Sequence, residues 1–428
     1  MEGIACLKSE LDLFNSVGVQ LGIESSAFVE IHPVASLTDK TPLEFIVPGD
    51  GESYLDLSHT LLHLRIQIKK LSNASLTATD EVCPINYILN TLFSECSVYL
   101  NDKQVASQVN YAYRAILESL LLTSKSAQDT LLSTTLFHKD TAGFHDIVVS
   151  NTTNLGYTKR YTECKLSKSI DLIGGLHFDL ASQPKLLING VNMRIKLERN
   201  KNSFVLMSAS ESFKIHIEAA SLFVRKVNLA PSILLAHEKA LEKGVIKMPI
   251  RRVEVKTFAL SSGLKSTTIA NAFIGQLPTR LVLGFVSNDA FNGSYSKNPF
   301  KFDHYNLNYI CILNGSQMIP AKPYQPDYAN NLYARNYLSL FTDLNRYHAS
   351  SNINISYDEY KDGYTLYAFD LTPDLSAGES HMSVNKNGNI AIDIKFDVAL
   401  PLTVNLIAFA EYRSMIEVDK SRGVFTDF

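Results

Sequence analysis

A stretch of sequence near residue 95 returns near residue 310, and this recurrence limits the possible folds more than any other feature. The first copy runs Ser94-Glu95-Cys96-Ser97-Val98-Tyr99-Leu100-Asn101-Asp102-Lys103-Gln104-Val105. The second runs Leu307-Asn308-Tyr309-Ile310-Cys311-Ile312-Leu313-Asn314-Gly315-Ser316-Gln317-Met318. Each reads as an apolar, alternating strand, a tight turn at Asn101-Asp102 or Asn314-Gly315, and then Gln with an apolar residue. Each is followed by a helix-like segment, Tyr111-Ala112-Tyr113-Arg114 in one case and Leu332-Tyr333-Ala334-Arg335 in the other. The two asparagines lie 213 residues apart, about half of the 428-residue chain. A repeat of that period is a domain and not a solenoid unit, so the pattern predicts two related domains of roughly 200 residues.

The elements between the copies are short and mostly β. His63 to Lys69 alternates strictly and puts Leu64, Ile66 and Ile68 on one face. Strands are predicted also at 161–173, 185–198, 253–260, 279–287 and 306–313, and at the end over 364–369, 390–398 and 404–410. Helices are predicted at 108–122, 232–243 and 332–341, with a further one over Ser9 to Leu21 and a Ser/Thr/Asn-rich excursion over 123–160. A polar break at Arg199 to Ser203 reads as the seam. The organisation expected is an N-terminal arm (1–40), a first sandwich (41–202) and a second (203–428). About sixteen short strands, not alternating with long helices, indicate an all-β double jelly roll: two tandem eight-stranded antiparallel sandwiches with short helices in the loops.

Composition narrows the function. The net charge of −3 supplies no general drive toward nucleic acid. The 22 Phe and 20 Tyr suit sheets and large buried interfaces. The five cysteines, at 6, 83, 96, 164 and 311, show no ligand spacing and read as small core residues, with Cys96 and Cys311 in equivalent places of the repeat. The start of the chain lacks the pattern of a signal peptide, and no apolar run is long enough to span a membrane.

Chemistry-bearing clusters are few. His59 and His63 would share a helix face, but on a strand they lie about 13 Å apart and read as sheet residues. His138, Asp140, His145 and Asp146 form the most metal-like group, and Asp370, Asp374 and Glu379 a set of carboxylates; both read first as loop and turn residues. Lys159-Arg160, Arg194 to Lys201 and Lys247 to Lys256 are basic, and Arg251 with Arg252 is the candidate nucleic-acid-facing patch. Tyr324, Tyr328 and Tyr333, with Arg335, are the candidate assembly residues, because aromatic density favours a subunit interface. No metal, cofactor or catalytic constellation stands out, and the chain is read as a non-enzyme.

Several blocks resemble one family. Pro42-Leu43-Glu44-Phe45 with Tyr54-Leu55-Asp56-Leu57, Pro84-Ile85-Asn86 through Asn101, Asn314-Gly315 through Asp327, and Gly363 through Pro373 are similar to the double jelly-roll major capsid proteins of the Polinton or Maverick and adintovirus type. The resemblance implies a homotrimer with six jelly rolls, a pseudo-hexagonal capsomer that tiles an icosahedral shell. It implies neighbouring capsomers, penton or minor capsid proteins and a packaged DNA genome facing the inner side as partners, and a place in the virion capsid after synthesis in the host cytoplasm and assembly in the nucleus or cytoplasm; no membrane insertion is expected from the apolar runs. It carries over no catalytic or ligand-binding residue. The alternatives are a carbohydrate- or receptor-binding β-sandwich, such as a spike, and a minor capsid protein.

Overall fold

The computed structural model describes residues 18–38, 41–378 and 381–428. Among the described residues, sixteen strands build the four main sheets, and the second eight repeat the first eight in order; Val82–Pro84 pairs with Leu206–Ser208 in a small separate sheet, and Val424–Thr426 pairs with Val404–Val418. In the N-terminal half they are β1 (Ile23–Ile31), β2 (Leu43–Val47), β3 (Ser53–Lys70), β4 (Phe93–Leu100), β5 (Lys103–Val109), β6 (Ile170–Gly175), β7 (Met193–Arg199) and β8 (Phe213–Leu229). In the C-terminal half they are β9 (Ile246–Leu260), β10 (Ser266–Gln276), β11 (Arg280–Ser287), β12 (Leu307–Asn314), β13 (Gln317–Tyr324), β14 (Leu366–Asp370), β15 (Asn387–Phe396) and β16 (Val404–Val418). The sheet orders are β1-β8-β3-β6 and β2-β7-β4-β5, then β9-β16-β11-β14 and β10-β15-β12-β13. Adding eight to each label of the first pair gives the second pair. Two antiparallel four-stranded sheets in this crossed order are a jelly roll, and the chain holds two of them.

Strand β3 shows how the pattern becomes a sheet. Leu62, Leu64, Ile66 and Ile68 are fully buried, while Arg65 faces water. Strand β16 behaves differently, because Val404 to Tyr412 is buried on both faces. Leu406, Ala408 and Ala410 point into the second sandwich's own core. Ile407 and Phe409 point the other way, into a cluster that also holds the first sandwich's Leu64, Ile66 and Val98. The β9-β16-β11-β14 sheet therefore has no solvent face along this strand, and the apolar run replaces alternation for the same reason as in any doubly covered sheet. Helix α1 (Tyr111–Leu122) fills the junction and touches both β4 and β9. All of its residues except Leu122 are buried, as expected of a helix packed on every side. The other helices of nine or more residues among those described are α2 (Leu155–Cys164), α3 (Pro231–Leu241) and α4 (Ala334–Thr342).

Several expectations need correction. The sheets do not change over at 199–203: β8 pairs with β1 and β3, so the handover comes between Leu229 and Ile246, across α3. Part of the expected arm, Ile23–Ile31, is the first strand of the first sandwich. Of the strand predicted at 161–173, residues 161–164 end α2, 165–167 form a 3-10 turn, and only 170–173 are extended, within Ile170–Gly175. Of the helix predicted over Ser9 to Leu21, residues 9–17 lie outside the described part, and residues 18–21 are not helical.

The repeat is real but slips by one residue. Leu100 pairs with Lys103 across the first turn, and Asn314 with Gln317 across the second, so Asn101 corresponds to Gly315. Cys96 and Val98 then match Ile310 and Ile312, and all four point into cores. Cys311 falls on the opposite face beside Tyr309, whose hydroxyl lies 3.4 Å from its sulfur. The equivalence of Cys96 and Cys311 fails because a one-residue shift reverses every side chain of a strand.

Candidate functional site: the junction of the two sandwiches

The junction holds an alternating chain of six charged groups, three from each half. Arg114 of α1 donates to Asp179 Oδ1 at 2.6 Å and to Glu118 Oε1 at 3.2 Å. Arg251 of β9 donates to the same Glu118 oxygen at 3.0 Å and to Glu411 Oε1 at 2.7 Å. Arg280 of β11 reaches Glu411 Oε2 at 3.0 Å. Arg114 and Asp179 are 1% exposed, Glu411 2% and Arg280 4%. The i,i+4 spacing on α1 presents Arg114 and Glu118 together, and the central position of β16 presents Glu411 between β9 and β11. Val253 N and the Gln108 amide also donate to Asp179. Burial works against the charge of Glu118, but Arg114, Arg251 and the His177 ring 2.6 Å away hold its carboxyl well below the usual range. Burial also opposes the charge of Arg114; Glu118 and Asp179 outweigh it and raise the guanidinium's pKa. Three positive and three negative groups balance, so the junction is ionic without net charge.

Arg251 thus belongs to an internal network and not to a nucleic-acid-facing patch. Arg252 points to the other side of β9, stacks on Tyr412 at 4.0 Å and Phe428 at 4.9 Å, and donates to Gln276 Oε1 at 3.1 Å. The expectation fails because neighbouring strand residues face opposite sides, so two adjacent arginines cannot form one patch.

A second junction joins the long loops after β5, β11 and β13. Asp140 accepts from Arg160 at 2.8 Å and from the amides of Asn154 at 2.9 Å and Asn298 at 3.0 Å. Burial disfavours its charge, but Arg160 with His145 and the amides holds its carboxyl below the usual range. Its two oxygens together accept from three protein donors. Asp146 bonds Asn298 N and Lys301, and the His138 carbonyl accepts from Arg160 at 2.6 Å. The metal-like quartet is therefore a set of loop anchors, and among the described residues no group of three His, Cys, Asp or Glu is placed to hold a metal ion. His145 is 1% exposed and packs tilted against Tyr364, with ring centroids 4.8 Å apart. Gly363, at φ 101°, is needed there, because a Cβ would run into the His145 ring. Lys139 meets Glu359 at 2.8 Å, and Tyr364 OH donates to the Asp140 carbonyl at 2.7 Å, so the two loops lock across the halves.

The candidate assembly tyrosines lie inside the subunit. Tyr324, Tyr328 and Tyr333 are 5%, 7% and 2% exposed. Tyr328 stacks on Tyr333 at 5.4 Å and on His304 at 4.1 Å, and its hydroxyl meets that of Tyr367 at 2.8 Å. Arg335 is exposed, but it caps Tyr324 at 4.8 Å and donates to the carbonyls of Pro323 and Lys322. The three tyrosines are buried because they fill the space between α4 and its own sandwich, so their rings offer little surface to a neighbour. Tyr328→Phe is expected to lower stability by about 1 kcal/mol, the net value of one buried hydrogen bond, in urea unfolding, with the oligomer mass unchanged.

The remaining candidates are structural. His59 pairs with Asp56 and His63 with Asp171, both from β3 as expected. Asp370 accepts from Thr372 N and Ala377 N, and Asp374 from Ser376 Oγ, as turn residues do; Glu379 lies outside the described residues. Burial pushes the Cys96 thiol up to about 12, which leaves it inert. Sequence reading passed over Arg114, Glu118, Arg280 and Glu411. A signal was present for the two on α1: Arg114 and Glu118 each interrupt an apolar run, Glu118 within Ala115 to Leu122.

No protein-family model matches the chain. The Caenorhabditis elegans protein F54H12.2, described as uncharacterized, is 25% identical over 427 residues, covering 96% of this chain and 99% of its own length. Among solved structures, a chain of the Sputnik virophage superposes with a TM-score of 0.68 at 13% identity, covering 100% of this chain and 93% of that one. The Faustovirus major capsid protein gives 0.57 at 10%, covering 94% and 92%. The mavirus major capsid protein gives 0.53 at 12%, covering 100% and 96%. The likeness extends over several viruses and does not single out the Polinton or adintovirus type. By strand order, and by superposition along its whole length, this protein has the double jelly-roll fold of viral major capsid proteins.

Proposed function

We propose that the chain is the structural subunit of an icosahedral capsid. Three copies form a pseudo-hexagonal capsomer, and capsomers tile the shell. One observation carries this reading: two sandwiches of identical strand order are fused in tandem and joined by the buried charge chain and the interlocked loops. A three-fold assembly of such a subunit has six near-equivalent edges, which suits a lattice with six neighbours. The sequence blocks around Pro84, Asn314 and Gly363 favour the Polinton and adintovirus type. Minor capsid proteins and a DNA genome are the partners this reading implies, and the virion capsid is its location.

Light scattering with negative-stain microscopy tests it. The expected result is a species of about three times 47.6 kDa, hexagonal in projection, or closed shells. A monodisperse monomer across salt and pH would reject the capsomer and turn attention to a binding module.

A further inference from the structure

A second pair of matching words follows β6 and β14. Leu176-His177-Phe178-Asp179-Leu180 comes after β6, and Leu371-Thr372-Pro373-Asp374-Leu375 after β14. The strands end at Gly175 and Asp370, so each of these aspartates is the fourth residue beyond its strand. Their surroundings are opposite. Asp179 and Leu180 are buried. The Asp374 side chain is 53% exposed and Leu375 65%.

The first copy is used inside the subunit. β9 is an edge strand, so one row of its main-chain groups has no partner in the sheet. Asp179 Oδ1 accepts from Val253 N at 3.2 Å, and the Asn110 amide, just beyond β5, donates to the Val255 carbonyl at 3.1 Å. The β5 side of the first sandwich thus caps the open edge of the second sandwich's first strand.

The corresponding strand of the first sandwich, β1, is also an edge, and Glu24 to Phe28 are all exposed. Phe28 stands where Val253 stands in β9. Val253 pairs with Glu411, which pairs with Arg280. Phe28 pairs with Arg225, which pairs with Asp56. Both cross-strand pairs are ion pairs. Two residues earlier on each strand comes a phenylalanine, Phe409 on β16 and Phe223 on β8. Phe409 is buried in the junction, but Phe223 is only half-buried, and Phe28 is 51% exposed. One capping side and one open edge are therefore left over. The open edge exposes Glu24 and Glu30, and the capping side, at β13, exposes Lys322 and Arg335, so the two surfaces attract.

We propose that a second copy of the chain repeats the internal junction: the Asp374 loop and β13 of one subunit cap the β1 edge of the next. Asp374 accepts from the Phe28 N–H, and Leu375 packs beside the Phe28 ring. The inference rests on the capsomer reading and assigns its contact surface. Such a head-to-tail contact closes a ring and not a two-fold dimer. The test places Phe28→Cys and Leu375→Cys, singly and together, in a Cys6→Ser chain treated with a short bismaleimide; Cys83, Cys96, Cys164 and Cys311 are buried. The double variant is expected to give covalent dimers and trimers on a denaturing gel, and neither single variant any. Phe28→Glu is expected to raise by about tenfold or more the concentration at which the oligomer half dissociates in light scattering, with the urea midpoint of the free subunit unchanged. A trimer that forms no such links, and that Phe28→Glu leaves intact, would overturn the contact while the capsomer stands. An unaltered chain that never associates would overturn both.

Discussion

Replacing Glu411 with alanine is expected to destabilise the fold by about 3–5 kcal/mol, the usual cost of leaving a buried charge without its partner. Glu411 accepts from Arg251 on one oxygen and from Arg280 on the other. Its loss leaves Arg280, 4% exposed, with the Asp343 carbonyl as its remaining acceptor among the described residues. Urea unfolding reads the effect. Arg280→Ala should also destabilise, and the double variant should lose less than the sum of the two, because they share one interaction. A Glu411→Ala protein within about 0.5 kcal/mol of the unaltered chain would show that the network contributes nothing to stability. The same contacts cross between the sandwiches through Glu118 and Arg251. In the proposed capsomer they fix the angle between adjacent edges, so the variant should also assemble with lower yield.

The second large effect is loss of stability in mild acid. His145 is buried, and neither ring nitrogen has a hydrogen-bond partner. Burial lowers its pKa to about 4; Asp140 and Asp146 oppose the shift, and Lys301 and Lys139 add to it. In the unfolded chain a histidine titrates near 6.5. Between these values the unfolded chain takes up a proton that the folded chain refuses. The stability is therefore fully present above about pH 6.5, falls as the pH drops toward 4, and changes no further below that on account of this group. A difference of this size is worth about 3 kcal/mol for one histidine. His304 acts in the same direction: burial lowers it also to about 4, Asp362 opposes the shift, and its Nδ1 accepts from Asn306 N at 2.9 Å, which requires the neutral ring. Urea midpoints at pH 7.0, 5.5 and 4.5 should decline steadily. His145→Leu should flatten that decline whatever its effect at pH 7; an unaltered slope would remove His145 as the cause.

Much of the fold was legible because strands declare themselves locally. The alternation of His63 to Lys69 and the turn after Leu100 each needed only neighbouring residues. The seam was not legible, because the polar run at 199–203 is a short connection, from the end of β7 into the helical turn Asn202–Val205, between two strands of one sandwich. What makes Phe213–Leu229 part of the first half is its pairing with β3, a contact between residues more than a hundred positions apart. The one-residue slip in the repeat was hidden for a related reason, since identical words at Asn101 and Asn314 do not reveal which residues close each turn.

The candidate sites show the same division. Residue type suggested that Tyr324, Tyr328, Tyr333, Arg251 and Arg252 face partners, yet the tyrosines are buried, and the two arginines point to opposite sides of β9. Composition does not say which face of an element is covered. The sequence by itself determined that this is an all-β, duplicated chain, because period-two alternation and turn chemistry act over a few residues. Only the tertiary structure decided that its charges meet as Asp179–Arg114–Glu118–Arg251–Glu411–Arg280. Those partners come from both halves and lie up to about three hundred positions apart, and a buried charge is stabilised only by the groups that surround it in space.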